Sequence, residues 1–201
     1  MIPVPSLPEE EIAELRKTFE TQLRSTCREG VEELLEWLAT ETDFYAAPAS
    51  ATKHGAVVGG LLKHSVYVLK YLRNFIKPLG DAIPDDSVIV VALLHDLCKA
   101  NFYTIRTKNV RVGDRQWEEQ EYFAIEDQLP LGHGEKSAML AQRFIELTDD
   151  ELLAIRWHMG GFDDAARQYS GGQALAAAFA RCKLAVAMNV ADMYVANIIG
   201  Y

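Results

Sequence analysis

The chain has 201 residues, 49% of them hydrophobic and 24% charged, enough for one ordinary soluble domain with a core of its own. A net charge of −9 and a pI near 5.0 exclude the broad basic surface that tracks long nucleic acids, although small anionic substrates remain open. Three scattered cysteines, Cys27, Cys98 and Cys182, form neither a disulfide framework nor a CxxC pair, and the first residues have no basic start and apolar run; a reducing, cytoplasmic setting is expected. No uncharged apolar stretch reaches the ~18 residues a membrane helix needs.

Three glutamates after Pro8 suit the positive end of a helix, which the spacing of Ile12, Leu15, Phe19 and Leu23 predicts from 9 to about 27. A second helix follows from 30 to about 40 on Val31, Leu34, Leu35 and Leu38. Residues 1–47 are thus expected as a helical lead-in packed on the core, or as a surface for homodimerisation. Between 41 and 60 the pattern breaks at Pro48 and the glycines. His54 lies in that loop, either as solvated surface or as a contact for something bound nearby.

Residues 61–76 read as an amphipathic helix, with His64 beside its apolar stripe near the first turn. After a turn at 78–86, Asp85, Asp86 or Ser87 caps a helix that contains seven aliphatic residues in succession, 88–94, then His95, Asp96 and Lys99, and that stops near 100. Burying an ionisable pair behind such a run costs several kcal/mol, roughly, unless a partner compensates. A divalent cation is the economical partner, since imidazole and carboxylate are both good ligands and its charge offsets the carboxylate. Lys99 either complements the helix dipole or reaches an anion on the metal.

The texture changes over 101–127, where Val112-Gly113-Asp114 marks the turn of a β-hairpin inserted between helices, as a flap over the site or a cover for the core edge. A helix then starts around the glycine-flanked His133 and runs to about 147. Thr148 and Glu151 have the spacing of a capping box for a short helix from 149 to 158, which carries Arg156 and His158 at its end. The last helix is expected to run from 173 to 199, closely buried, with Asp192 inside it as a metal ligand or as the partner of Arg181 or Arg156. Four of the five histidines therefore fall at helix ends or beside apolar stripes. With Asp96 and Asp192 they offer six ligands from five helices, enough for two cations sharing a carboxylate.

The ordered set His64, His95-Asp96, His133, His158, Asp192 resembles the binuclear version of the motif of the HD-domain superfamily of metal-dependent phosphohydrolases, over about residues 50–197. Gly59-Gly60-Leu61-Leu62-Lys63-His64-Ser65 and Leu131-Gly132-His133 are similar to segments of the phosphohydrolase domain of bacterial 3'-to-5' exoribonucleases. That branch carries an OB-fold, and none is expected within these residues. Cys98 stands where a small residue is usual, Met159 where a second adjacent histidine is usual, and the Gly-Tyr-Pro run of the cyclic-dinucleotide branch is missing.

The resemblance implies an all-α bundle over 48–201 with a small hairpin. It implies one or two divalent metal ions (Mn, Fe, Co, Ni, Zn or Mg), the first held by His64, His95, Asp96 and Asp192, the second by Asp96, His133 and His158. Asp96 and Lys99 would be catalytic, with His54, Lys99 and Arg156 contacting a small phosphorylated substrate such as a nucleotide or short oligonucleotide. Long nucleic acid and membrane are not expected partners. A di-iron oxygenase of the same superfamily and a non-catalytic metal-binding sensor or scaffold are the competing readings.

Overall fold

Aliphatic residues at helical spacing must hide one face, and the chain does so by packing helix on helix around a shared cluster. A computed structural model describes residues 1–200, the side chains at 80–82 apart; Tyr201, the last residue of the expected domain, lies outside the described residues. The helices are α1 (Glu9–Ser25), α2 (Val31–Thr40), α3 (Gly60–Ile76), α4 (Asp85–Leu94), α5 (His133–Ala141), α6 (Asp149–Arg156), α7 (Tyr169–Arg181) and α8 (Lys183–Tyr194). Strands β1 (Tyr103–Arg111) and β2 (Trp117–Ile125) form an antiparallel hairpin between α4 and α5, with Tyr103 opposite Ile125. The architecture is all-α with one small hairpin.

Helix α4 is the centre of the bundle. Its aliphatic run from Val88 to Leu94 is buried on every side, against α3, α1, α6, α5 and α8. Each such side chain contributes roughly 1.5–3 kcal/mol of burial, which fixes α4 and hence whatever follows it. Phe19 and Leu23 of α1 and Leu34 and Leu38 of α2 join the same cluster, so the lead-in helices share the core.

Several element ends differ from expectation for local reasons. Helix α4 stops at Leu94 rather than near 100: the imidazole of His95 takes the carbonyl of Ala92, Asp96 leaves helical geometry at φ −103°, and 97–99 form a 3₁₀ turn. No side-chain cap forms at its start, where Pro84 precedes Asp85. Helix α5 ends at Ala141, not near 147. The expected final helix is two helices, bent by 108° at Cys182, whose extended backbone ends α7 while its thiol accepts the amide of Ala185 to cap α8. Helix α7 is also not closely buried; Ala178 alone is buried along it. Among the described residues no single helix is long and apolar enough to cross a membrane, and α7 with the residues through Ile199 has the length only as that bent pair.

The hairpin is tied down along β2 and at its base. Ile2 lies alongside β2, donating to the carbonyl of Glu119 and accepting from the amide of Glu121, both at 2.8 Å. At the base, the ammonium of Lys136 in α5 meets Asp127 at 2.5 Å and sits 5.2 Å from the ring centre of Phe102.

Candidate metal centre

The two turns that end α4 and α6 are built alike. His95 Nδ1 lies 2.8 Å from the carbonyl of Ala92, and His158 Nδ1 lies 2.7 Å from that of Ile155. A carbonyl only accepts, so each Nδ1 carries the proton and each Nε2 turns a bare lone pair inward. This backbone lock on the far nitrogen is how metal-binding imidazoles are oriented. His64 arrives from the second turn of α3, His133 from the first residue of α5, and Asp192 from the last turn of α8.

These groups converge. His64 Nε2 is 3.2 Å from His95 Nε2 and 3.0 Å from Asp192 Oδ1; Asp96 Oδ2 is 3.4 Å from His95 Nε2 and 3.6 Å from His64 Nε2. The other oxygen of Asp96 faces a different pair, with His133 Nε2 at 2.8 Å and His158 Nε2 at 3.5 Å. Ligands about 2.1 Å from a cation stand about 3.0–3.4 Å apart in octahedral or tetrahedral arrangement, so both groups have spacing that fits one. His64, His95, Asp96, His158 and Asp192 are almost wholly buried. His158 Nε2 has no hydrogen-bond partner among the described residues, an orphaned lone pair that a cation would satisfy.

Electrostatics point the same way. Burial pushes the His64 and His133 imidazoles down, against the pull of Asp192 and Asp96 respectively. At His95 burial is outweighed by the Asp96 and Asp192 carboxylates, and the imidazole goes up. Burial would also raise Asp96, but Lys99 and His95 hold it well below the usual carboxylate range, and His64 does the same for Asp192. Lys99 Nζ bonds Asp96 Oδ2 at 2.6 Å and neutralises one of the two carboxylates. The other, Asp192, is almost wholly buried and adds negative charge that a cation would offset.

Beside these ligands opens a pocket of about 280 Å³, whose lining includes Asp96, His133 and Asp192. A scan of family models matches residues 61–197 to the HD domain, more than half the chain. The chain belongs to the HD-domain family. No curated protein and no solved structure matches it. The HD match concerns the family as a whole and does not single out the exoribonuclease branch. In this HD domain the histidine–aspartate cluster draws on three helices, α3, α5 and α8, and on the turns that follow α4 and α6.

The other expected site residues divide. Lys99 and His54 line the pocket, and His54, with burial pushing its imidazole down to about 4, stacks 5.3 Å from His64. Arg156 is not brought there. It pairs with Glu135 at 2.5 Å and Asp163 at 2.7 Å and lies over Trp157, bordering a groove between α5 and α6. Neither Arg156 nor Arg181 pairs with Asp192; Arg181 bonds Asp149. Sequence reasoning missed Ser50, Tyr103, Phe162, Met193 and Asn197 on the pocket wall. It also missed the Cys98 thiol, 3.2 Å from His133 Nδ1, and Asn189, which donates to the His158 carbonyl at 2.7 Å. Only the hairpin over 101–127 and the loop between 41 and 60 as segments carried a signal.

Proposed function

We propose that this HD domain is a metal-dependent phosphohydrolase cleaving a phosphate ester of a nucleotide or short oligonucleotide. The observation that carries the reading is Asp96, whose two oxygens face separate histidine pairs, so that one carboxylate would serve two cations. His64, His95, Asp96 and Asp192 would hold one ion, and Asp96, His133 and His158 a second. Divalent ions there supply Lewis acidity, bringing the pKa of an attacking water toward neutrality and stabilising charge on the phosphoryl oxygens.

The chain's own residues do the rest. Burial opposes the charge on Lys99, but Asp96 more than restores it, so the ammonium stays protonated at any working pH and meets negative charge on the phosphate. The carbonyls of Ala92 and Ile155 keep His95 and His158 in the tautomer that leaves Nε2 free. His54 stays neutral at the pocket wall, a donor or acceptor for the substrate rather than a charge. Lys53 and Lys99 on one pocket suit an anionic substrate.

The test is a screen of mono-, di- and cyclic nucleotides with several divalent metals, run beside Asp96→Ala, with dioxygen consumption followed in parallel. Turnover lost in the variant supports the reading. Turnover that survives it, or oxygen uptake without phosphate release, overturns it.

A further inference from the structure

We propose, resting on that phosphohydrolase reading, that the pocket selects a phosphomonoester whose leaving group has a flat or apolar body no larger than a nucleoside, and that Phe162 is the specificity-determining residue. The lining divides by chemistry and by origin. Lys53 comes from the loop before α3, Lys99 from the turn after α4 and Tyr103 from the start of β1; all three are donors. Burial and the neighbouring Asp96 keep the Tyr103 hydroxyl protonated. Met159 and Phe162 come from the turn after α6, and Met193 from α8. These two elements are held together by the bond from Asn189 to the His158 carbonyl, so their apolar groups form one wall.

Phe162 is 62% exposed and Met193 41% exposed, large apolar surface that the fold leaves in water at the edge of a polar site. A ring placed there offers a face for stacking. At about 280 Å³ the cavity falls just under the ~300–1,000 Å³ of drug-sized ligand sites, which leaves room for a phosphate and one modest substituent. A monoester fits this division: three non-bridging oxygens meet the donors and one substituent meets the apolar wall. A diester has one fewer free oxygen and a second substituent with no wall to cover it. In the reaction a water oxygen forms the new P–O bond. The ester P–O bond breaks with its electron pair on the leaving oxygen, which takes a proton from water, giving the alcohol and inorganic phosphate.

The experiment compares kcat and KM of the full chain, loaded with the metal that supports turnover, on a naphthyl phosphate, a nucleoside monophosphate, glycerol phosphate, bis-p-nitrophenyl phosphate and a dinucleotide. The naphthyl and nucleoside monoesters should exceed the other three in kcat/KM by about tenfold or more. Phe162→Ala should raise KM about tenfold on those two while leaving kcat, and both constants for glycerol phosphate, unchanged; Phe162→Trp should restore the wild-type KM. Because the side chain is largely exposed, these changes leave folding intact. Preference for either diester, or an equal loss on glycerol phosphate, overturns the inference while the phosphohydrolase reading stands. No turnover of any ester by the wild type overturns both.

Discussion

Gly134 is the second residue of α5, directly after His133, and it faces the backbone of α6. A Cβ added there would stand 2.1 Å from the carbonyl oxygen of Arg156, about 1.3 Å short of ordinary contact. Neither side can yield by rotating a side chain, because the obstacle is backbone two residues before His158. Gly134→Ala should therefore push α5 from α6 by about 1 Å, at an overpacking cost of about 1–3 kcal/mol partly offset by about 0.5–1 kcal/mol of helix propensity. The fold survives that. The pairing of His133 and His158 on one oxygen of Asp96 does not, whereas His64, His95 and Asp192 stay as they are. Titration calorimetry with Mn²⁺ should show weakened binding confined to one class of site, and hydrolysis should fall about 100-fold, the usual cost of misplacing a reacting group by 1 Å. Gly113→Ala in the hairpin turn, where the added carbon meets only the Gln116 Cβ at 3.8 Å, serves as the control. Wild-type Mn²⁺ binding and activity within twofold in Gly134→Ala would refute the argument.

Three other outcomes follow from the packing. Arg28 binds both oxygens of the fully buried Glu151 and also Asp86, so Arg28→Met strands a buried carboxylate at a cost of about 3–5 kcal/mol, with a Tm lower by roughly 6–20 °C in a thermal melt; a shift under 2 °C would contradict it. Thr148→Ala removes one half of the capping box of α6, where the hydroxyl accepts the Glu151 amide, and should cost about 1 kcal/mol in urea unfolding. His54 is held neutral in the fold, with a pKa near 4 against about 6.5 when unfolded, so it lowers stability progressively as pH drops through that window. Melts of the metal-free chain from pH 7 to 4 should fall more steeply for the wild type than for His54→Gln, and parallel curves would show that the imidazole titrates normally.

What the sequence discloses here is what short range determines. The apolar spacing of α1 to α4, the Thr148–Glu151 box and the hairpin turn depend on neighbours within a few positions, and all are found. The ligand order is readable for a related reason: imidazole and carboxylate next to aliphatic runs need a compensating charge, and a cation is the common one. The break at Cys182 has no glycine or proline to announce it; a thiol capping α8 is chemistry that spacing does not reveal. Arg156 finds Glu135 and Asp163 through tertiary packing, so its basic side chain near His158 reads as a substrate contact when it is an ion-pair hub. Tyr103 and Phe162 reach the pocket from elements whose sequence has no pattern tied to the ligands, and their roles emerge only when the turn after α6 is set against β1 and α8.

Two cation positions sharing Asp96 are the core of the proposed function. Equilibrium Mn²⁺ titration of the metal-free chain, followed by calorimetry beside Asp96→Asn and Asp192→Asn with folding checked by circular dichroism, tests it most directly. Loss of all tight binding in Asp96→Asn, with Asp192→Asn retaining the site of His133 and His158, is the predicted result. An Asp96→Asn chain that is folded and binds Mn²⁺ with wild-type affinity and stoichiometry would contradict it.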